Sequence, residues 1–206
     1  MINLPLPTYD ENGYRSYNSG GVEREVGELL YAFAKILKPL NILDLGTHKG
    51  ISAAYFGLAC QENEKGIVHT VEFDPAHYQE AQNLWNSMGV DKNIHQYKCK
   101  VEDLVVSCTY DLILIDTEPS TRFAELERFY PYLEPGGYVF IHDLNGHLSQ
   151  LPSSNPDHPE FGWPYGELSE RLKNMLKDRE MIPFSFRNPR GLTGFYKPRL
   201  DDYKII

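Results

Sequence analysis

Cysteine is scarce in this sequence: Cys60, Cys99 and Cys108 are the only three among 206 residues. Three thiols cannot all pair, and their spacing fits no zinc-binding pattern, so neither a disulfide framework nor a structural zinc site is expected. Reduced cysteines point to a cytoplasmic location. Positive charge is also short, with 20 Lys and Arg against 29 Asp and Glu and a formal net charge of −9. That balance argues against nucleic acid or an anionic membrane as partner, because both demand clustered cations. The one basic cluster, Arg187, Arg190, Lys197 and Arg199, is expected to be solvated charge on a hairpin. No apolar run approaches the roughly 20 residues that span a bilayer. The first residues, Met1 to Pro7, lack the basic-then-apolar order of a secretory signal.

What is present is an alternation of helix and strand signals from about residue 22 onward, which predicts an α/β fold. Val22, Val26, Leu29, Leu30, Phe33, Ile36 and Leu37 recur at helical spacing up to Pro39. The run 41–45 reads as a short strand, 49–61 as a helix rich in small residues, and 66–72 as a second strand. Asp74-Pro75 has the order of an N-cap and first helical residue, and that helix is expected to stop at Gly89. A weaker strand lies near 94–99, and 110–116 is the clearest buried strand. A helix over about 121–133, the turn 134–137 and a strand over 138–141 follow. A helix near 165–179 and two strands joined around 188–191 complete the pattern. The expectation is one domain, 1–206, doubly wound and Rossmann-like. Its seven-stranded sheet is mostly parallel and closes on an antiparallel hairpin. Residues 1–21 form an N-terminal arm suited to a lid or a dimer contact. Residues 145–164, rich in Asn, Gly, Ser and Pro and carrying Phe161 and Trp163, are of the length and type expected of an acceptor loop.

The first strand runs into Asp44-Leu45-Gly46-Thr47-His48-Lys49-Gly50. Glycines where a strand turns into a helix let a ligand approach the backbone, and the helix start offers N–H groups to an anion. The spacing is G-x-x-x-G rather than the G-x-G-x-x-G of dinucleotide sites. Asp44 would repel a phosphate but suits an ammonium, and Ser52 in the first helical turn can bond a carboxylate. The loop therefore suits a zwitterion. Glu72, 22 residues beyond Gly50 at the next strand end, can accept hydrogen bonds from both ribose hydroxyls. A nucleoside bearing an amino acid meets all these demands, and S-adenosylmethionine is that molecule.

Four segments, 42–52, 70–75, 111–116 and 133–137, stand in the order and spacing of class I S-adenosylmethionine-dependent methyltransferases, and the chain resembles that family over roughly 22–145. More narrowly it is similar to small O-methyltransferases of the catechol and caffeoyl-CoA type and to the related sugar and antibiotic enzymes. The resemblance implies that Asp44, Gly46 and Ser52 hold the methionine part, within a loop that includes Thr47 and Gly50. It implies Glu72 for the ribose, and Val101 and Glu102 along the adenine. The implied activity is methylation of a hydroxyl on a small molecule such as a phenol, sugar or natural product.

Asp116 and Asp143 end the fourth and fifth strands, the edge at which open α/β sheets bind ligands, and Asp116 borders the cofactor there as well. Two converging carboxylates can hold Mg2+ or another divalent cation, which would lower the pKa of an acceptor hydroxyl. Metal-dependent relatives have an aspartate at the position of Asp116 and an Asp-Asn pair after the fifth strand. Here the pair reads Asp143-Leu144, with Asn145 one step on, so Asp116, Asp143 and Asn145 are the candidate ligands. Without a metal, His142 is the candidate general base, since imidazole titrates near neutrality. The lysine that catechol-type enzymes carry three residues past the fourth-strand aspartate is Pro119 here. Two rival readings stay open, a nicotinamide-dependent oxidoreductase on a related fold and a non-catalytic nucleoside-binding module.

Overall fold

The computed structural model describes residues 8–9, 15–16, 21–144, 168–186 and 191–204. The rest of the N-terminal arm and the whole of the expected acceptor loop lie outside the described residues. The chain divides into two compact units, Met1–Cys108 and Thr109–Ile206. The first holds β1 (Thr8–Tyr9), β2 (Arg15–Ser16), α1 (Arg24–Leu37), β3 (Asn41–Leu45), α2 (Ile51–Glu62), β4 (Ile67–Glu72), α3 (Pro75–Met88) and β5 (Ile94–Lys98). The second holds β6 (Tyr110–Ile115), α4 (Arg122–Phe129), β7 (Leu133–His142), α5 (Glu170–Lys177), β8 (Ile182–Phe186) and β9 (Leu192–Tyr196). Seven strands hydrogen-bond in the order β5-β4-β3-β6-β7-β9-β8. The pairs β3–β4, β4–β5 and β6–β7 are parallel, whereas β9 runs antiparallel to both β7 and β8. This is the expected Rossmann-like sheet with its C-terminal antiparallel hairpin.

Local chemistry explains the elements of the first unit. Helix α1 buries Val26, Leu30 and Ala34 along one stripe and ends on Lys38 in the left-handed region, just ahead of Pro39. Helix α2 is buried almost all round, from Ile51 through Gly57 and again at Ala59 and Cys60. Its small residues let neighbours come close, so its pattern lacks a polar face. Burial pushes the Cys60 thiol up to about 11. Helix α3 starts where Asp74 accepts a bond from the Ala76 amide at 2.8 Å and stops at left-handed Gly89.

The second unit departs from the expected boundaries in one instructive place. Helix α4 closes at Phe129 into a single 3-10 turn, Tyr130–Tyr132, and β7 begins at once with Leu133. The predicted turn 134–137 lies inside β7 as a bulge, because Tyr110 pairs with Leu133 while Leu112 pairs with Tyr138. Gly136 supplies the positive φ, and Gly137 passes so close to the Asp111 carbonyl that a Cβ would sit 2.8 Å from it. Lys197 fastens this bulge with its Nζ, which donates to the Leu133 carbonyl at 2.6 Å, and Arg199 Nε reaches the Pro135 carbonyl at 3.4 Å. Lys197 is thus a structural tie, whereas Arg199 is exposed, as expected of solvated charge. Arg187 and Arg190 lie outside the described residues.

Gly27 of α1 faces the buried Tyr55 ring, where a Cβ would fall 2.1 Å from a ring carbon. Alanine at this helical position gains roughly 0.5–1 kcal/mol of backbone entropy. Displacing a packed ring costs about 1–3 kcal/mol. Gly27→Ala is therefore expected to lower the urea midpoint, and an unchanged or raised midpoint would contradict this packing.

Candidate functional site

In the first unit the parallel register sets Asp44 of β3 beside Thr70 of β4. Asp44 is fully buried, and its Oδ2 accepts from Thr70 Oγ1 at 2.8 Å and from Ser52 Oγ at 3.1 Å. Thr47 Oγ1 lies 2.5 Å from Thr70 Oγ1 and extends the chain of hydroxyls. A charge removed from water needs such donors, since each hydrogen bond to a charged group is worth about 1.5–3 kcal/mol. The loop itself is moulded by backbone bonds: the Gly46 and Thr47 amides donate to the Val71 carbonyl, and the Gly50 amide to that of Thr47. Gly46, His48 and Gly50 all take positive φ.

Gly50 has a second reason to be glycine. A Cβ there would lie 2.7 Å from the Trp85 indole nitrogen and 2.8 Å from the Ala81 Cβ, both on α3. Trp85 Nε1 donates to the Gly50 carbonyl at 2.8 Å, so α3 clamps the end of the loop. Gly50 is also the N-cap of α2, and no side chain caps that helix.

Glu72 is held by three backbone amides. Its Oε2 accepts from His48 at 2.7 Å, and its Oε1 from Phe73 and Asp74, each at 2.8 Å. The His48 and His77 rings stack edge to face at 4.2 Å, and His77 Nδ1 is 4.0 Å from Glu72 Oε2. The carboxylate is therefore fixed before any ligand arrives, with lone pairs to spare for hydroxyl donors. Val101 and Glu102 belong to a short 3-10 turn, Val101–Asp103. Glu102 is largely exposed and pairs with Lys100 at 3.4 Å.

The second unit assembles its own cluster. Register between β6 and β7 pairs Ile115 with Ile141, so Asp116 and His142 follow side by side. His142 Nδ1 is 3.0 Å from Asp116 Oδ1 and 3.6 Å from Asp143 Oδ1. The imidazole has no exposed surface, while the Asp116 and Asp143 side chains are 11% and 15% exposed. The carboxylates form the outer face of the cluster and the ring its inner support. Asp143 sits at φ 56, a left-handed conformation that aspartate tolerates better than most residues. Leu144 is buried, and its carbonyl accepts from Thr193 Oγ1 at 3.0 Å, so an apolar anchor stands where the resemblance has a ligand. Asn145 lies outside the described residues.

Sequence reasoning missed the residue at the centre of this cluster. Arg122, buried in the first turn of α4, donates to the Thr117 carbonyl through Nε and Nη2 and to the His142 carbonyl through Nη1. Its Nη2 is also 3.4 Å from Asp116 Oδ1 and 3.6 Å from Asp143 Oδ2. A cation in the first turn of a helix opposes the helix dipole, and that misfit was the available signal. Nearby, burial raises the Glu125 carboxyl above its ordinary value, against bonds from Thr117 and Thr121 that pull it down.

Asp116, His142 and Asp143 each offer one ligand atom, all within 4.8 Å of one another. A Mg2+-like ion about 2.1 Å from Asp116 Oδ1 would lie no more than about 5.5 Å from Arg122 Nη2, given the 3.4 Å separation above. At an effective dielectric constant of about 20 the repulsion is roughly 6 kcal/mol, which works against the attraction of the carboxylates. Swinging the guanidinium aside would forfeit its bonds to the Thr117 and His142 carbonyls. The residues present do not fit a divalent cation.

Residues 43–144 match the family described as "Methyltransferase domain". This segment is similar to methyltransferase domains. It begins on β3 and ends just past Asp143, so it takes in every candidate residue named so far except Asn145. Proteins of Mycobacteroides abscessus and Mycolicibacterium vanbaalenii, both named "Putative O-methyltransferase", are 28% and 27% identical over 145 and 128 residues. The matches cover 68% and 60% of this chain but 66% and 56% of those proteins, just under two thirds and a little over half of their lengths. Among solved structures, the SAH-bound Podospora anserina methyltransferase PaMTH1 superposes with a TM-score of 0.72 at 16% identity, covering 87% of this chain and 81% of that one. The O-methyltransferase TomG from Streptomyces achromogenes, in complex with SAM, gives 0.67 at 19%, covering 87% and 82%. The structural likenesses establish the fold.

Thr70→Val removes a donor from a buried carboxylate without changing side-chain volume much. It is expected to destabilise the protein by about 1.5–3 kcal/mol, measured by denaturant unfolding. A loss below a few tenths would mean that Asp44 is satisfied without it.

Proposed function

We propose that the chain is an S-adenosylmethionine-dependent O-methyltransferase acting on a small-molecule acceptor. The observation that carries this is the pair of preorganised carboxylates in the first unit: Asp44, held by Thr70 and Ser52, and Glu72, held by three amides. Asp44 suits the ammonium of the methionine part, the first turn of α2 its carboxylate, and Glu72 the ribose hydroxyls. Val101 and Glu102 border the adenine. The relatives named above support oxygen as the acceptor atom, and TomG, whose structure contains SAM, supports the donor. Three free cysteines support the cytoplasm as the location, and no described helix is long and apolar enough to cross a membrane.

The transfer is an in-line displacement: the acceptor oxygen attacks the sulfonium methyl, sulfur leaves with its bonding pair, and the acceptor proton must go to the protein. Holding the two partners in line accounts for much of the acceleration in such reactions. The exposed edges of Asp116 and Asp143 take the acceptor hydroxyl, and the Asp116–His142 pair takes up its proton. The proton passes through Asp116 to His142 Nδ1, the ring nitrogen 3.0 Å from Asp116 Oδ1. No step is routed through a metal, because Arg122 stands against the same carboxylates.

A nicotinamide enzyme would need room for a pyrophosphate where the Asp44 carboxylate lies buried. Calorimetry is expected to show S-adenosylhomocysteine binding and no NAD binding, and the reverse result would sink the proposal. Glu72→Ala should weaken S-adenosylhomocysteine by about 10- to 150-fold, the equivalent of about 1.5–3 kcal/mol. Once an acceptor is found, His142→Asn keeps a donor beside Asp116 but cannot take a proton. Its kcat is expected to fall by about 10²–10⁴ with KM little changed, and wild-type turnover would show that the imidazole only supports the fold. The same variants distinguish a non-catalytic binding module, which would bind the nucleoside with no turnover to lose.

A further inference from the structure

We propose that Arg122 is a built-in counter-ion that replaces a divalent metal, holding Asp116 and Asp143 in place while closing the cluster to cations. The inference rests on the methyl-transfer reading of the same site but concerns a property that can be measured without turnover. Three features of the geometry carry it. Arg122 touches both carboxylates at once, Asp116 Oδ1 at 3.4 Å and Asp143 Oδ2 at 3.6 Å, as a bridging cation would. Its remaining N–H groups are committed to the Thr117 and His142 carbonyls, which lock the guanidinium plane. Both carbonyls belong to segments that carry the cluster, since Thr117 follows Asp116 and His142 precedes Asp143.

The arrangement does two things that a metal would otherwise do. It balances charge, because two carboxylates within reach of one imidazole repel each other unless a cation lies beside them. It also fixes angle, since a planar five-donor group sets where each acceptor lies more firmly than an ammonium could. It cannot do the third: a guanidinium has no vacant coordination position for an acceptor oxygen, so it lowers no hydroxyl pKa by direct ligation. That function falls to the Asp116–His142 pair. Arg122 is therefore a positioning residue, acting through the carboxylates. Leu144, buried where a ligand is expected from the resemblance, fits a site from which the metal has been dispensed with.

Removing the guanidinium should expose the site that it fills. Mn2+ binding to the full chain is measured by electron paramagnetic resonance, with S-adenosylhomocysteine binding followed in the same samples. The wild type is expected to leave Mn2+ free, and Arg122→Ala to bind it more than about 100-fold tighter. A second change, Asp116→Asn, should abolish the gained binding. Arg122→Lys, which keeps the charge, should stay closed to Mn2+. Wild-type binding of Mn2+ that disappears in Asp116→Asn would overturn the proposal. So would a folded Arg122→Ala that binds none. If alanine prevents folding, Arg122→Met keeps the buried stem and is judged by the same two outcomes. Failure of the wild type to bind S-adenosylhomocysteine would count against the methyl-transfer reading, whereas the Mn2+ results bear on Arg122 alone.

Discussion

A carboxylate taken out of water at the end of a parallel strand must find its donors in the protein, and this constraint organises both units. Asp44 finds them in Thr70 on the adjoining strand and Ser52 on the following helix. One buried charge thereby joins β3, β4 and α2 at the point where the chain turns. Glu72 finds its donors in backbone amides from its own turn and from the loop. The strand ends are thus rigid before a ligand is bound, which reduces the ordering that binding would otherwise require.

The second unit solves the same problem differently. Asp116 follows the end of β6, and Asp143 follows β7 in a left-handed conformation. A histidine from inside the sheet and an arginine from α4 complete them. Placing Arg122 in the first turn of a helix is unfavourable for the dipole by roughly 0.3–1 kcal/mol. Hydrogen bonds to two main-chain carbonyls and proximity to two carboxylates outweigh that cost. The cluster is built from charges that neutralise one another, and its chemistry follows from which of them reach the surface.

The turn between α4 and β7 shows how far glycines can mislead. Pro135-Gly136-Gly137 reads as a loop ahead of a strand, yet the strand begins before it and bulges through it. Lys197 holds the bulge from the hairpin side, so a residue far along the chain supports the start of β7. Gly50 carries a related lesson. Its positive φ is a property of the loop, but the contact with Trp85 and Ala81 depends on where α3 docks.

The sequence alone determined the alternation of strand and helix, the Asp44–Gly50 loop, the cap at Asp74, the stop at Gly89, and acids at the ends of β3, β4 and β6. These are legible because they depend on local periodicity, on backbone preferences of Gly, Pro and Asp, and on which residue ends a buried run. Other features belong to the tertiary structure: Thr70 beneath Asp44, the burial of His142 behind Asp116, the bulge in β7, and Arg122 between two carboxylates. Each of these depends on register between strands or on how a helix packs against them, and both are set by contacts between residues far apart in the chain. A carboxylate pair at two strand ends reads the same in sequence whether its partner is a metal ion or a guanidinium. Only the position of α4, which aims Arg122 at both oxygens, chooses between them.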